Sequence, residues 1–139
     1  MREKEYVFCE VAEERLGREN ILIVDDDLEM LKIFRFYLQD KYNVSVVNSG
    51  EAAIELLADY VPDVVLLDYL MPKCNGTEVF RYMREQDRTK NIPVIFLTGV
   101  TDEDTIKECL SYRPVDYIVK PIAKNALLSK LDMFFKTYE

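Results

Sequence analysis

Four apolar runs each stop at a residue with chemistry to offer, and this repetition constrains the chain more than any other feature. Ile21–Val24 ends at Asp25-Asp26, Val64–Leu67 at Asp68, Val94–Leu97 at Thr98, and Tyr117–Val119 at Lys120. Short runs without polar alternation are what strands buried on both faces require. Between them lie longer segments with apolar residues at helical spacing, which points to βαβ units and a parallel sheet. In such a sheet the carboxyl ends of the strands share one edge, where open α/β folds bind ligands. Three carboxylates, a hydroxyl and an ammonium, distant in sequence, are therefore expected to meet there.

The spacing predicts a first strand over Ile21–Asp25 and a helix from Leu28 to about Gln39, capped by Asp27. Val44–Val47 is the second strand, and Ser49-Gly50-Glu51 opens a helix carrying Ala52, Ala53, Leu56 and Leu57. Pro62 bounds that helix, and Asp63–Leu67 is the third strand. Thr77 starts a helix to about Gln86, and Pro93 precedes a fourth strand, Val94–Leu97. Asp102 or Asp104 starts a helix ending near Tyr112; Val115–Val119 and Ala123–Tyr138 complete five strands and five helices. Residues 1–19 stand outside this pattern as an N-terminal extension, in which Tyr6, Val7, Phe8, Val11 and Leu16 suit an extra amphipathic helix; residues 20–139 form the main domain. In the last helix Leu127, Leu128, Leu131, Phe134, Phe135 and Tyr138 make a set wider than one core face needs, which suggests a contact surface.

At 139 residues, with 49% hydrophobic and 32% charged residues, the chain suits one globular domain with its own core. The net charge of −8 disfavours direct binding to nucleic acid or an anionic membrane, since both want a basic face. No apolar stretch nears the ~20 residues of a membrane span. Met1-Arg2-Glu3-Lys4-Glu5 leads into no signal core, so a cytoplasmic protein is expected. Cys9, Cys74 and Cys109 fit neither a disulfide framework nor a zinc motif and read as reduced thiols, Cys74 in a loop being the one most open to solvent. The absence of histidine removes Ser-His and Cys-His nucleophile activation and any phosphohistidine role. A histidine in this chemistry belongs to a partner.

Asp25 and Asp26, adjacent at a buried strand end, repel each other unless a cation neutralises them. Magnesium takes oxygen ligands, one or two carboxylates among them. The plainer reading makes Asp25, Asp26 and Asp27 turn and cap residues, and for Asp27 it is the preferred one. Asp68 beside two carboxylates invites a shared cation and can serve as nucleophile, since carboxylates form aspartyl-phosphates. Thr98 can donate to a phosphoryl oxygen, with Gly99 leaving room for that group. Lys120 supplies a point charge, and Pro121 after it suits a cis bond. Each feature alone is weak; their order along the chain is not.

In Ile21-Leu22-Ile23-Val24-Asp25-Asp26-Asp27, Leu66-Leu67-Asp68-Tyr69-Leu70-Met71-Pro72, Phe96-Leu97-Thr98-Gly99 and Tyr117-Ile118-Val119-Lys120-Pro121, residues 20–138 resemble the receiver (response-regulator) domain of two-component signalling. The resemblance implies a flavodoxin-like, doubly wound five-stranded parallel sheet of order 2-1-3-4-5 with five flanking helices. It implies that Asp68 is the phosphoacceptor, served by a histidine of a sensor kinase or phosphotransfer protein. Mg2+ would sit on Asp25, Asp26, Asp68 and the backbone carbonyl of Leu70, with Thr98 and Lys120 on phosphoryl oxygens. Thr98 and Tyr117 would form the switch that reshapes the surface of helix 4, strand 5 and helix 5, for an output partner or a homodimer.

Such a domain is a signalling module and not an enzyme beyond its own phosphorylation and dephosphorylation. No DNA-binding or catalytic output segment is expected within these residues. Two departures from the family pattern stand out. Tyr112-Arg113-Pro114-Val115 offers no glycine for a left-handed cap on the fourth helix, which must end differently. Val115 also replaces an aspartate used in the dimer of one subfamily. Leu70 and Val100 flank the site and cannot orient water, so self-dephosphorylation is expected to be slow. The alternatives are a haloacid-dehalogenase-like phosphatase using Asp25, suggested by Asp25-Asp26-Asp27, and a receiver-like scaffold that is never phosphorylated. A flavin domain shares the architecture but needs a phosphate-cradling loop not found here.

Overall fold

Alternate residues of the central strands serve two different cores, which is why those strands read as unbroken apolar runs. The computed structural model describes residues 7–99 and 102–138. Its strands are β1 (Cys9–Glu10), β2 (Asn20–Val24), β3 (Asn43–Val47), β4 (Val64–Asp68), β5 (Val94–Thr98) and β6 (Asp116–Val119). Its helices are α1 (Leu28–Leu38), α2 (Gly50–Leu57), α3 (Gly76–Glu85), α4 (Glu103–Ser111) and α5 (Lys124–Tyr138). Ile21, Ile23, Val64, Leu66, Ile95 and Leu97 pack with Leu31, Phe34, Leu127 and Leu131 of α1 and α5. Leu22, Val24, Val65, Leu67, Val94 and Phe96 pack instead with Ala53, Leu57, Val79, Phe80, Met83 and Cys109 of α2, α3 and α4. A period-two strand with helices on both sides needs apolar residues at every position.

The sheet order is β1-β3-β2-β4-β5-β6. β2 to β6 are parallel throughout and reproduce the expected 2-1-3-4-5 order. The order reverses at β2, which lies between β3 and β4, so the crevice of the fold opens at the carboxyl ends of β2 and β4. Asp27 caps α1 as expected, its Oδ1 accepting from the amides of Glu29 (3.0 Å) and Met30 (3.4 Å). α2 stops at Leu57, well short of Pro62.

The N-terminal extension corrects the sequence reading. The expected helix does not form among residues 7–19, and Tyr6 lies outside the described residues. β1 instead adds a sixth strand, antiparallel to β3, pairing Cys9 with Val47 and Glu10 with Val46. The physical reason is the edge of β3, whose backbone and side chains need partners that a self-bonded helix would not supply. The Phe8 amide donates to Asn48 Oδ1 (2.7 Å) and the Ala12 amide to Ser45 Oγ (2.9 Å). The Arg15 amide donates to Asn43 Oδ1 (3.1 Å), whose Nδ2 returns a bond to the Arg15 carbonyl (3.1 Å). Glu10 pairs with Arg35 of α1. The residues that suggested an apolar helix face, Val7, Val11 and Leu16, remain exposed.

α4 does end in a left-handed residue, and it is Arg113 (φ 57°), whose amide donates to the Leu110 carbonyl (3.0 Å). In α5 the wide apolar set divides: Leu127, Leu131, Phe134 and Phe135 are buried, while Tyr138 and the neighbouring Met133 are exposed.

Candidate functional site

The carboxyl ends of β2 and β4 are bonded neighbours, so Asp25, one residue past β2, and Asp68, the last residue of β4, come together without any special loop. Asp25 is fully buried, Asp68 nearly so, and Asp26 exposed. Carboxylate oxygens of all three lie within 4.8 Å of one another. Lys120, one residue past β6, reaches across the rim: its Nζ lies 2.8 Å from Asp25 Oδ2 and 3.4 Å from Asp68 Oδ1. The second Asp25 oxygen, Oδ1, accepts from the Asp27 amide (2.9 Å), which fixes the carboxylate plane. Lys120-Pro121 is cis.

One ammonium against three carboxylates leaves the rim short of positive charge, and the carboxyl of Asp68 registers the deficit. Burial, then the Asp25 charge and a hydrogen bond with Asp26, push its pKa up to about 8, although Lys120 pulls the other way. Burial disfavours the Lys120 ammonium, yet its bonds and charges with Asp25 and Asp68 outweigh that and hold its pKa above the ordinary value. A hard divalent cation fits this donor set: the ligands are all oxygen, closely spaced, and under-neutralised.

Thr98 ends β5 and is buried; the register pairs Leu97 with Asp68, so Thr98 falls one step beyond it on the same rim. The Lys120 amide donates to the Thr98 carbonyl (2.7 Å), tying the ammonium and hydroxyl residues together. Tyr117 is half-buried against the aromatic side of the second core. The Leu70 side chain is half-exposed beside the rim, and Val100 lies outside the described residues.

Two glycines make close approaches that the sequence reading did not weigh. A methyl group on Gly50 would meet Cys74 Sγ at 2.7 Å, so Cys74, expected near the surface, is instead buried against the start of α2. Gly76 opens α3 against the backbone beneath the site: a methyl there would overlap the Asp68 carbonyl and stand 3.0 Å from Tyr69 Cα. Neither neighbour is the end of a flexible side chain. Gly76→Ala is therefore expected to cost about 1–3 kcal/mol and to disturb the amide signals of Asp68 and Tyr69 before those of β6. Urea unfolding with amide spectra checks both. The sequence signal was available in Asn75-Gly76, a cap followed by the one side-chain-free residue of the loop.

A parallel 2-1-3-4-5 sheet with helices on both faces, and an acidic rim with a lysine bonded into it at the strand ends, define an α/β domain of flavodoxin-like type. The chain belongs to the receiver-domain family of two-component response regulators: the family model for the response regulator receiver domain matches residues 21–132. A probable cyclic di-GMP phosphodiesterase of Vibrio cholerae is 36% identical over 118 residues, 85% of this chain and 27% of that protein. The response regulator SaeR of Staphylococcus aureus is 32% identical over 114 residues, 81% of this chain and 49% of its own length. The chain thus spans half or less of these curated relatives. Among solved structures, the receiver domain of a Pseudomonas aeruginosa sensor histidine kinase, with magnesium coordinated in its active-site cleft, superposes with a TM-score of 0.77. It is 25% identical and covers 84% of this chain and 97% of that one. Among the described residues no helix is long and apolar enough to cross a membrane.

Proposed function

We propose that this domain accepts a phosphoryl group on Asp68 from a histidine of a sensor kinase or phosphotransfer protein and thereby switches a signalling surface. The observation that carries the reading is the meeting of Asp25, Asp26, Asp68 and Lys120 at one strand-end rim. An Asp68 oxygen attacks phosphorus, the bond from phosphorus to the partner's imidazole nitrogen breaks, and that nitrogen keeps the electron pair and takes a proton. Asp25, Asp26, Asp68 and the Leu70 carbonyl would hold Mg2+, which supplies positive charge to the incoming phosphoryl oxygens. The Lys120 ammonium and Thr98 hydroxyl donate to those same oxygens. Tyr117, half-buried on β6, turns with Thr98 and alters the α4–β6–α5 surface, where an output partner or a second copy binds. Binding of beryllofluoride with magnesium to the wild-type chain, and its loss in Asp68→Asn, tests the assignment by fluorine NMR.

Slow loss of the phosphoryl group follows from the same rim. The Leu70 side chain offers no atom that can orient an attacking water, so a lifetime on the order of minutes to hours is expected. Leu70→Asn should shorten it by on the order of tenfold, and joining it to Val100→Glu should shorten it further. Phosphate release after removal of a small phosphodonor measures this, and an unchanged rate contradicts it.

A further inference from the structure

The peptide between Val47 and Asn48 is bonded on both of its sides, and one of those bonds holds a residue of the cation rim. Its carbonyl accepts from the Asp25 amide (3.2 Å), and its amide, on Asn48, donates to the Phe8 carbonyl (3.0 Å). A peptide unit is planar and stiff, so a tilt imposed on one side reaches the other. Asp25 lies one residue past β2, whose last residue, Val24, is also the last in register with β3. The Val47 carbonyl thus extends the ladder by one bond, to the first carboxylate of the site.

The far side of that peptide is held by the N-terminal extension. Cys9 of β1 stands opposite Val47, and the Phe8 amide donates to Asn48 Oδ1 (2.7 Å). Phe8 and Asn48 are therefore joined by two bonds, one through each amide. The Phe8 side chain packs on the core of α1 and α5, and Glu10 pairs with Arg35 of α1, so the extension is itself anchored. Val7 borders the same cavity as Asp26, Ser49 and Met71, which brings the extension to the rim. Groups that hold a metal ligand orient it, and losing one commonly weakens metal binding about tenfold or more.

We propose that Asn48 is a positioning residue for the cation site, and that the N-terminal strand it clamps is a strap holding Asp25 in place for a divalent cation. The cation rests on the function proposed above; the brace on Asp25 does not.

Two variants of the full chain separate a brace at the rim from general stabilisation. Asn48→Ala removes the side-chain half of the clamp and keeps the Asn48 amide. Ser45→Ala removes the matching bond from the Ala12 amide (2.9 Å), two positions further from the rim. In cation-free protein the Asp25 amide should exchange hydrogen about tenfold faster in Asn48→Ala, read against the Leu66 amide of the central strand β4. In Ser45→Ala that ratio should stay at the wild-type value. Magnesium affinity, followed by the amide shifts of Asp26 and Asp68, should fall about fivefold in Asn48→Ala and hold in Ser45→Ala. Equal effects of the two variants, or none from Asn48→Ala, overturn the proposal and leave the strap a general stabiliser. Faster Asp25 exchange without weaker magnesium binding also overturns it. A wild-type chain whose amides ignore millimolar magnesium would overturn the cation reading itself, while exchange at Asp25 still judges the brace.

Discussion

Asp68→Asn is expected to stabilise the cation-free protein by a few kcal/mol at pH 8 while leaving its stability near pH 4 little changed. The Asp68 carboxyl titrates at about 8 in the folded chain against 3.8 ordinarily, with burial the largest cause and the Asp25 charge the next. Between these two values the folded chain keeps a proton that the unfolded chain has released. Stability therefore falls as pH rises through that window and stops falling above about pH 8. At ~1.4 kcal/mol per pKa unit the penalty has an upper limit of about 5–6 kcal/mol, which solvent at the rim reduces. Asparagine cannot ionise and escapes the penalty. Urea unfolding of both proteins at pH 4, 6 and 8 measures the difference. Millimolar magnesium should narrow it by favouring the ionised wild-type carboxylate, and binding below pH 8 should release a proton. Parallel pH dependences for the two proteins would show that Asp68 is not held protonated.

Lys120→Met is expected to act in the opposite direction. It leaves Asp25, fully buried, without the ammonium that stands 2.8 Å away, and removes the Lys120 charge that pulls the Asp68 pKa down. Removing one partner of a buried ion pair costs about 3–5 kcal/mol, whereas an exposed pair would cost ~1 kcal/mol or less. Methionine keeps the apolar stem, so the loss reports on charge more than on packing. Magnesium should restore part of the stability, and Asp25→Asn placed in the Lys120→Met background should restore more. A loss below about 1 kcal/mol in cation-free buffer would mean that the rim is far better solvated than its burial indicates. Phosphoryl uptake should fall in Lys120→Met even where magnesium has recovered the fold.

The central sheet was legible because each strand is covered on both sides, so burial wrote itself into the sequence as Ile21–Val24, Val64–Leu67 and Val94–Leu97. The site was legible for a related reason. Parallel strands place their last residues on one edge, and the residues past those ends are the ones carrying charge or a hydroxyl. What the sequence did not disclose depends on partners distant along the chain. β1 is two residues long, and its strand form comes from the open edge of β3 with Asn43, Ser45 and Asn48, not from any alternation of its own. Cys74 looked exposed because its burial is set by Gly50, more than twenty positions earlier. Arg113 takes the left-handed turn at the end of α4 that glycine usually takes, at a position where composition gives no sign of it. Tyr69 gives no sign in one dimension that its ring is buried edge-on against Phe96 of β5 and Tyr112 at the end of α4.

Incubating the chain with acetyl phosphate and magnesium and then mapping the modified peptide by mass spectrometry addresses the central claim most directly. One phosphoryl group should be found, on the Val64–Asp68 strand end at Asp68, and it should be absent without magnesium and in Asp68→Asn. Modification at Asp25 would instead match the phosphatase alternative. No uptake by a folded, magnesium-loaded chain would leave only the scaffold.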